Sequence, residues 1–154
     1  MPSWSEFEAA APELAADVRA RLDAHKHKTI ATLRRDGAPR ISGTESQFID
    51  GELWIGSMLD ARKAHDLRRD PRFALHSGSD DPSEWQGDAK LGGVVEEITE
   101  PARVRESNGE ATGPSHLFRL DIREASTVAL NEARDKIVVR WWTPEGGERR
   151  LERK

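Results

Sequence analysis

Residues 28–57, KTIATLRRDGAPRISGTESQFIDGELWIGS, decide the fold. Three runs rich in Ile, Thr, Leu, Phe and Trp are separated by Asp36-Gly37 and Asp50-Gly51. Asp-Gly between such runs is a hairpin signal, because both residues tolerate the positive φ of a tight type I′ turn. The pattern predicts a three-stranded antiparallel meander over residues 29–34, 40–49 and 52–57.

Upstream of the meander the period is helical. Ser5 with Glu8 three residues on reads as a capping box, Pro12 suits a first helical position, and Leu14, Val18 and Leu22 form an i, i+4 apolar stripe. Downstream, Ala61, Ala64 and Leu67 share one face of a short helix that Asp70-Pro71 stops. Strands are expected again at 73–76, at 88–99 with a bulge or bend at Gly92-Gly93, at 117–122 extending to Leu130, and at 136–143. Residues 77–83 and 106–114 read as polar loops. The sum is a mainly β (α+β) fold of six or seven strands: an antiparallel barrel plugged by an N-terminal helix and by a short helix after the third strand. At 154 residues, the whole chain 1–154 is expected to form one domain.

Composition narrows the chemistry. With no cysteine, a disulfide framework, a thiolate metal cluster and a cysteine nucleophile are excluded. No run approaches the ~18 apolar residues of a membrane span, and residues 1–20 lack the basic and apolar regions of a signal peptide, so a soluble cytoplasmic protein without a membrane partner is expected. A net charge of -4 argues against a nucleic-acid partner, which needs a basic face. The mean conceals a pattern, however. Residues 77–101 carry seven acids against Lys90 alone, whereas residues 60–76 carry Arg62, Lys63, Arg68, Arg69 and Arg72 against three aspartates. Positive charge is placed locally, as an anion site requires.

Gly-x-Ser-x-Gly, Gly-x-Gly-x-x-Gly, Walker and His-Glu-x-x-His motifs are all absent. His25 and His27 are two apart and do not share a helix face, so no metal site is predicted. The informative segment is residues 53–76, LWIGSMLDARKAHDLRRDPRFALH. A strand ends at Gly56-Ser57, and Arg62 and Lys63 fall on the first turn of the following helix, where free N–H groups and the positive dipole end favour an anion. Arg binds phosphate bidentately, Lys adds a mobile charge, Ser57 offers a hydroxyl, and Gly56 lets a ligand approach the backbone. From spacing alone, a phosphate cradle and a merely charged surface helix both fit.

The segment GSMLDARKAHDLRRDPRFAL, preceded by GAPRISGTESQFIDGELWIGS, resembles the pyridoxamine 5'-phosphate oxidase-like split β-barrel flavoproteins. ATLRRDGAPRISGTE and DLRRDPRFALHS are similar to actinobacterial members, a branch that includes enzymes using the deazaflavin F420 in place of FMN. The resemblance spans residues 7–150. It implies a homodimeric oxidoreductase with two cofactor sites, each built from both chains, that transfers a hydride to or from a small organic substrate. It also implies that Ser57, Arg62 and Lys63 hold the phosphate of FMN or F420, that Ser42, Gly43, Thr44, Ile55 and Gly56 border the ring, and that Trp85 and the tail 140–150, with Trp141 and Trp142, reach the partner's site. The ending RWWTPEGGERRLERK departs from the tail that grips a pyridoxal substrate, which puts vitamin B6 oxidation in doubt. Two alternatives stay open: a non-catalytic flavin, deazaflavin or haem carrier of the same fold, with His65 or His76 as haem ligand, and a structural dimer whose basic helix docks on an acidic partner loop.

Overall fold

The computed structural model describes residues 2–107 and 114–154. Helices α1 (Trp4–Ala10) and α2 (Pro12–Asp23) precede strands β1 (His27–Leu33), β2 (Pro39–Ile49) and β3 (Glu52–Met58). Helix α3 (Arg62–Arg69) follows, then β4 (Arg72–His76), β5 (Asp88–Ile98), α4 (Pro101–Ser107), β6 (Ser115–Leu130), β7 (Ile137–Thr143) and β8 (Gly147–Arg153).

All neighbouring strands pair antiparallel in the order β3-β2-β1-β4-β5-β6-β7-β8, and β3 also pairs with β6. The β3–β6 pairing closes six strands into a barrel, and β7 and β8 continue outward from the second half of β6. The meander forms as expected, with positive φ at Gly37, Asp50 and Gly51 where its two turns fold. Alternation sends Ile30, Leu53, Ile55, Leu75, Phe118, Leu120 and Ile122 into the barrel. Leu14, Val18 and Leu22 of α2 join that core, as do Ala64 and Leu67 of α3, which is why the two helices sit where they do.

Four details differ from the sequence reading. The N-terminal helix is two helices, broken at Ala11, with Pro12 opening the second. Its capping box is Ser3 with Glu6, not Ser5 with Glu8: this start brings Trp4 and Phe7 onto one face, both fully buried with rings 5.2 Å apart, while the Ser5 hydroxyl donates to Glu52. Glu106, read as loop, belongs to α4, and residues 108–113 of the expected 106–114 loop lie outside the described residues. The tail 147–153 is a strand, β8; its side chains are mostly exposed and charged, so no apolar alternation marks it in the sequence.

The Gly92-Gly93 irregularity is a bulge whose extra residue lies on the facing strand. Gly92 pairs with Glu124 and Gly93 with Ile122, leaving Arg123 unmatched.

Candidate functional site

The end of β3 runs back toward residues 42–44 of β2, because the two strands are antiparallel with Ser46 opposite Ile55. A turn then leads to α3. The Ala61 N–H donates to Met58 O at 3.2 Å, and Asp60 takes a φ of 59° inside the turn. The first turn of α3 lands beside β2, where Lys63 Nζ donates to Gly43 O at 2.9 Å. Gly43, Arg62 and Lys63, far apart in sequence, thus come together, and a Cβ built on Gly43 meets nothing within 4 Å, so there is room beside its backbone.

The electrostatics of α3 are unusual. Its N-cap, Ala61, makes no side-chain cap bond, and its first turn holds no acid but does hold Arg62 and Lys63, two cations at the positive end of the helix dipole. Three other basic residues of this segment are neutralised within the chain. Arg68 makes paired bonds to Glu97 at 2.7 Å, Arg69 reaches Asp66 at 3.0 Å, and Arg72 grips Asp70, whose pKa is lowered to about 2 by that bond. Among the described residues, neither Arg62 nor Lys63 has a carboxylate within ion-pair distance. Burial pushes the Lys63 ammonium below its usual pKa range, partly offset by Glu45, which is a further sign that its charge lacks a close partner. Two unpaired cations at an uncapped helix start raise the energy of the empty protein, and a bound anion lowers it.

The helix is held in place from behind. Asp66, 3% exposed, accepts hydrogen bonds from Thr32 of β1 at 2.8 Å, from Arg40 of β2 at 2.7 Å and from Arg69 at 3.0 Å. Burial alone raises the pKa of Asp66, but the bonds from Arg40, Thr32 and Arg69 outweigh it and hold the carboxyl below its usual range. On the same side Glu97 accepts from Arg68 and from His116. The sequence carries no signal for the roles of Asp66, Glu97 and His116: apart from Arg69, three residues from Asp66, their partners lie 19 to 56 residues away, and only the tertiary fold brings them into reach.

An apolar groove of about 490 Å³ lies next to the cations on the outer face of the barrel, lined by Thr29, Ile41, Ala74, His76, Val139 and Trp141 among others. Thr29 is the ladder partner of Gly43, so groove and cations are one strand apart. Ile41 is 75% exposed, and Met58 and Leu59 on the turn before α3 are 80% and 51% exposed. Two cations near exposed apolar side chains could hold a ligand that joins an anionic group to a flat apolar one.

The other expected contributors divide. Gly56 is exposed on the outer face, and Ser42 is half-buried. Thr44, Ile55 and Ser57 turn inward: Ile55 is fully buried, and Ser57 is 6% exposed with its hydroxyl donating to Met58 O at 3.3 Å. The two tail tryptophans face opposite ways, and Trp142 is the inner one. It is 4% exposed and packs on Phe7 at 4.9 Å, because alternation along β7 sends it into the core and puts Trp141 in the groove. Trp85 is half-buried in the loop before β5 and donates to Asp88 at 3.0 Å. His65 faces Asp60 at 3.5 Å, and His76 Nδ1 lies 2.6 Å from Ser77 O. Among the described residues no three His, Asp or Glu side chains gather to hold a metal, and no helix is long and apolar enough to cross a membrane.

The family model described as pyridoxamine 5'-phosphate oxidase matches residues 14–129, from the barrel plug through nearly all of β6. The chain belongs to the pyridoxamine 5'-phosphate oxidase family. Solved structures agree on the split-barrel fold of this family. A conserved hypothetical protein of Mycobacterium tuberculosis is 24% identical over 71% of this chain and 81% of its own, with a TM-score of 0.61. A pyridoxamine 5'-phosphate oxidase-related, FMN binding protein of Nostoc punctiforme is 13% identical over 96% of each chain, TM-score 0.64. PhzG from Burkholderia lata, solved with tetrahydrophenazine-1-carboxylic acid, is 14% identical over 98% of this chain and 93% of its own, TM-score 0.61. A search of curated proteins finds no match.

Proposed function

We propose that this family member is an oxidoreductase that binds FMN or F420 by its phosphate at Arg62 and Lys63, with the ring toward the groove of Ile41 and Trp141. The observation that carries the reading is the pair of uncompensated cations at the uncapped start of α3. When bound, the cofactor supplies hydride transfer to or from a small unsaturated or carbonyl-containing substrate. The chain's own part is to hold the phosphate, to border the ring with the backbone of 42–44 and 56, and to exclude water with Ile41, Met58 and Leu59. A second copy of the chain, packed on the exposed groove, completes that exclusion. The same family membership and the FMN binding named for the Nostoc relative support a flavin-type cofactor.

The basic basin on the outer side of α3 supports the deazaflavin. Arg35, Arg40, Arg62, His65, Arg68 and Arg69 line a concavity of about 550 Å³ together with Asp66; Arg40 and Arg69 are bound by Asp66 and Arg68 by Glu97, so Arg35 and Arg62 are the basin's arginines left to meet the oligoglutamate tail that F420 carries and FMN lacks. Arg72, engaged by Asp70, is not among its walls. Titrating the apo protein with each cofactor, read by its five tryptophans, distinguishes them. Tighter FMN binding overturns the deazaflavin preference.

Replacing Arg62 and Lys63 together with Ala is expected to weaken cofactor binding by about 2–4 kcal/mol, the loss of two overlapping charge-assisted contacts. Unchanged affinity in the double variant sinks the assignment. The dimer is checked by sedimentation: the wild type should run at twice 17.2 kDa, and Ile41→Asp should shift it toward the monomer. A carrier without turnover is the second reading. Its haem form favours His76 over His65, since His76 lines the groove and its Nδ1 donates to Ser77 O, leaving Nε2 as the nitrogen that could ligate a metal. A Soret band in the loaded protein would establish it.

A further inference from the structure

His116 is 5% exposed at the start of β6, with Phe118 stacked 6.2 Å away, and it touches neither the groove nor the basic basin. Its two ring nitrogens are both used. Nε2 accepts the backbone N–H of Asp60 at 3.2 Å, and Nδ1 lies 3.1 Å from Glu97 Oε1. A backbone amide can only donate, so Nε2 carries no proton and Nδ1–H donates to the carboxylate. The bond from Arg68 holds the Glu97 carboxyl below its usual pKa range, and the bond from His116 adds to it, so the acceptor for Nδ1–H stays ionised.

The amide that His116 grips belongs to the turn that enters α3. Asp60 sits there at φ 59°, a left-handed conformation that aspartate tolerates better than most residues and that aims its N–H at the imidazole. The next two positions in the chain are Ala61, the uncapped N-cap, and Arg62. Glu97 meanwhile holds Arg68 in the last turn of α3. One His–Glu pair, its imidazole buried and its carboxylate half-buried, therefore holds both the turn that enters α3 and the helix itself.

We infer that His116 is a positioning residue for the anion site: as a neutral imidazole oriented by Glu97, it holds the Asp60 amide and so sets the direction in which Arg62 and Lys63 face their ligand. The inference rests on the proposed cofactor site and adds a component that touches neither cofactor nor substrate. Charge is unchanged at Arg62 and Lys63 when His116 is replaced, so any effect on ligand binding must come through geometry.

The test separates the phosphate from the ring. FMN and riboflavin share a ring and differ in the phosphate, as do F420 and its phosphate-free core; each pair is titrated by fluorescence against the wild type, His116→Leu and His116→Gln. The wild type should prefer the phosphorylated member. His116→Leu, which cannot accept the Asp60 N–H, should lose about tenfold in affinity for it while ring-only binding changes less than about twofold. His116→Gln, whose amide oxygen can accept that N–H, should restore most of the preference. Equal losses for both members in His116→Leu, no loss for either, or failure of His116→Gln to rescue, overturns the inference alone. A wild type that binds neither pair, or shows no preference for phosphate, overturns the proposed site and the inference with it.

Discussion

Asp66→Ala should lose about 3–5 kcal/mol of folding stability at pH 7, the cost of stranding a partly buried cation after its carboxylate is removed. Asp66 is 3% exposed and gathers three donors from three elements: Thr32 on β1, Arg40 on β2 and Arg69 on α3 itself. The substitution leaves the Arg40 side chain, 22% exposed, without its counter-charge, and leaves the Thr32 hydroxyl, in a residue 1% exposed, without its acceptor. The pH dependence gives an internal check. Because the pKa of Asp66 is held down in the folded state, its contribution is fully present above the unfolded carboxylate value of about 4 and is lost as pH falls through the folded value. Urea unfolding of the two proteins should show a gap that is widest near neutrality and narrows below about pH 4. A gap independent of pH would mean that lost packing, and not the ionised carboxylate, accounts for the effect.

Gly93→Ala should cost about 3 kcal/mol or more, beyond what strand propensity alone predicts. A Cβ at Gly93 would stand 1.8 Å from the carbonyl oxygen of Asp121 and 2.9 Å from its carbon. Both are backbone atoms of the facing strand and cannot swing away, so the bulge that bends β5 and β6 around the barrel would have to open. Gly43→Ala is the control. Its Cβ meets nothing within 4 Å, and a change within about 0.5 kcal/mol, on the stabilising side if anything, is expected for the apo protein. Thermal unfolding of the two variants side by side checks the pair. If Gly93→Ala melts with the wild type, the close approach of β5 to Asp121 is wrong.

Much of the barrel was legible because its signals are local. Asp36-Gly37 and Asp50-Gly51 can hardly be read as anything but turns, and the Leu14, Val18, Leu22 stripe has one buried face whatever it packs on. The misreadings also have local causes. Ser3-x-x-Glu6 and Ser5-x-x-Glu8 are equally good capping boxes in one dimension, and only the burial of Trp4 and Phe7 chooses between them. Trp141 and Trp142 are indistinguishable as residue types, and the phase of β7 against β6 decides which one faces the groove. β8 escaped notice because a strand whose faces are both wet has no reason to alternate.

The candidate site shows the same division. That Arg62 and Lys63 begin a helix follows from the sequence, through the Asp70-Pro71 stop and the Ala61, Ala64, Leu67 face. The sequence alone therefore determined a small antiparallel barrel with cations at one helix start, since hairpin turns, apolar period and helix stops each act over a few residues. It counted five basic residues there and had no means of telling them apart. Only the tertiary structure decided that Arg68, Arg69 and Arg72 are neutralised while, among the described residues, Arg62 and Lys63 have no ion pair, that Lys63 lies against Gly43, and that His116 holds the turn leading to that pair. The reason is range. A charge is free or paired according to what lies within about 4 Å, and in a closed barrel that is set by register between strands distant in sequence.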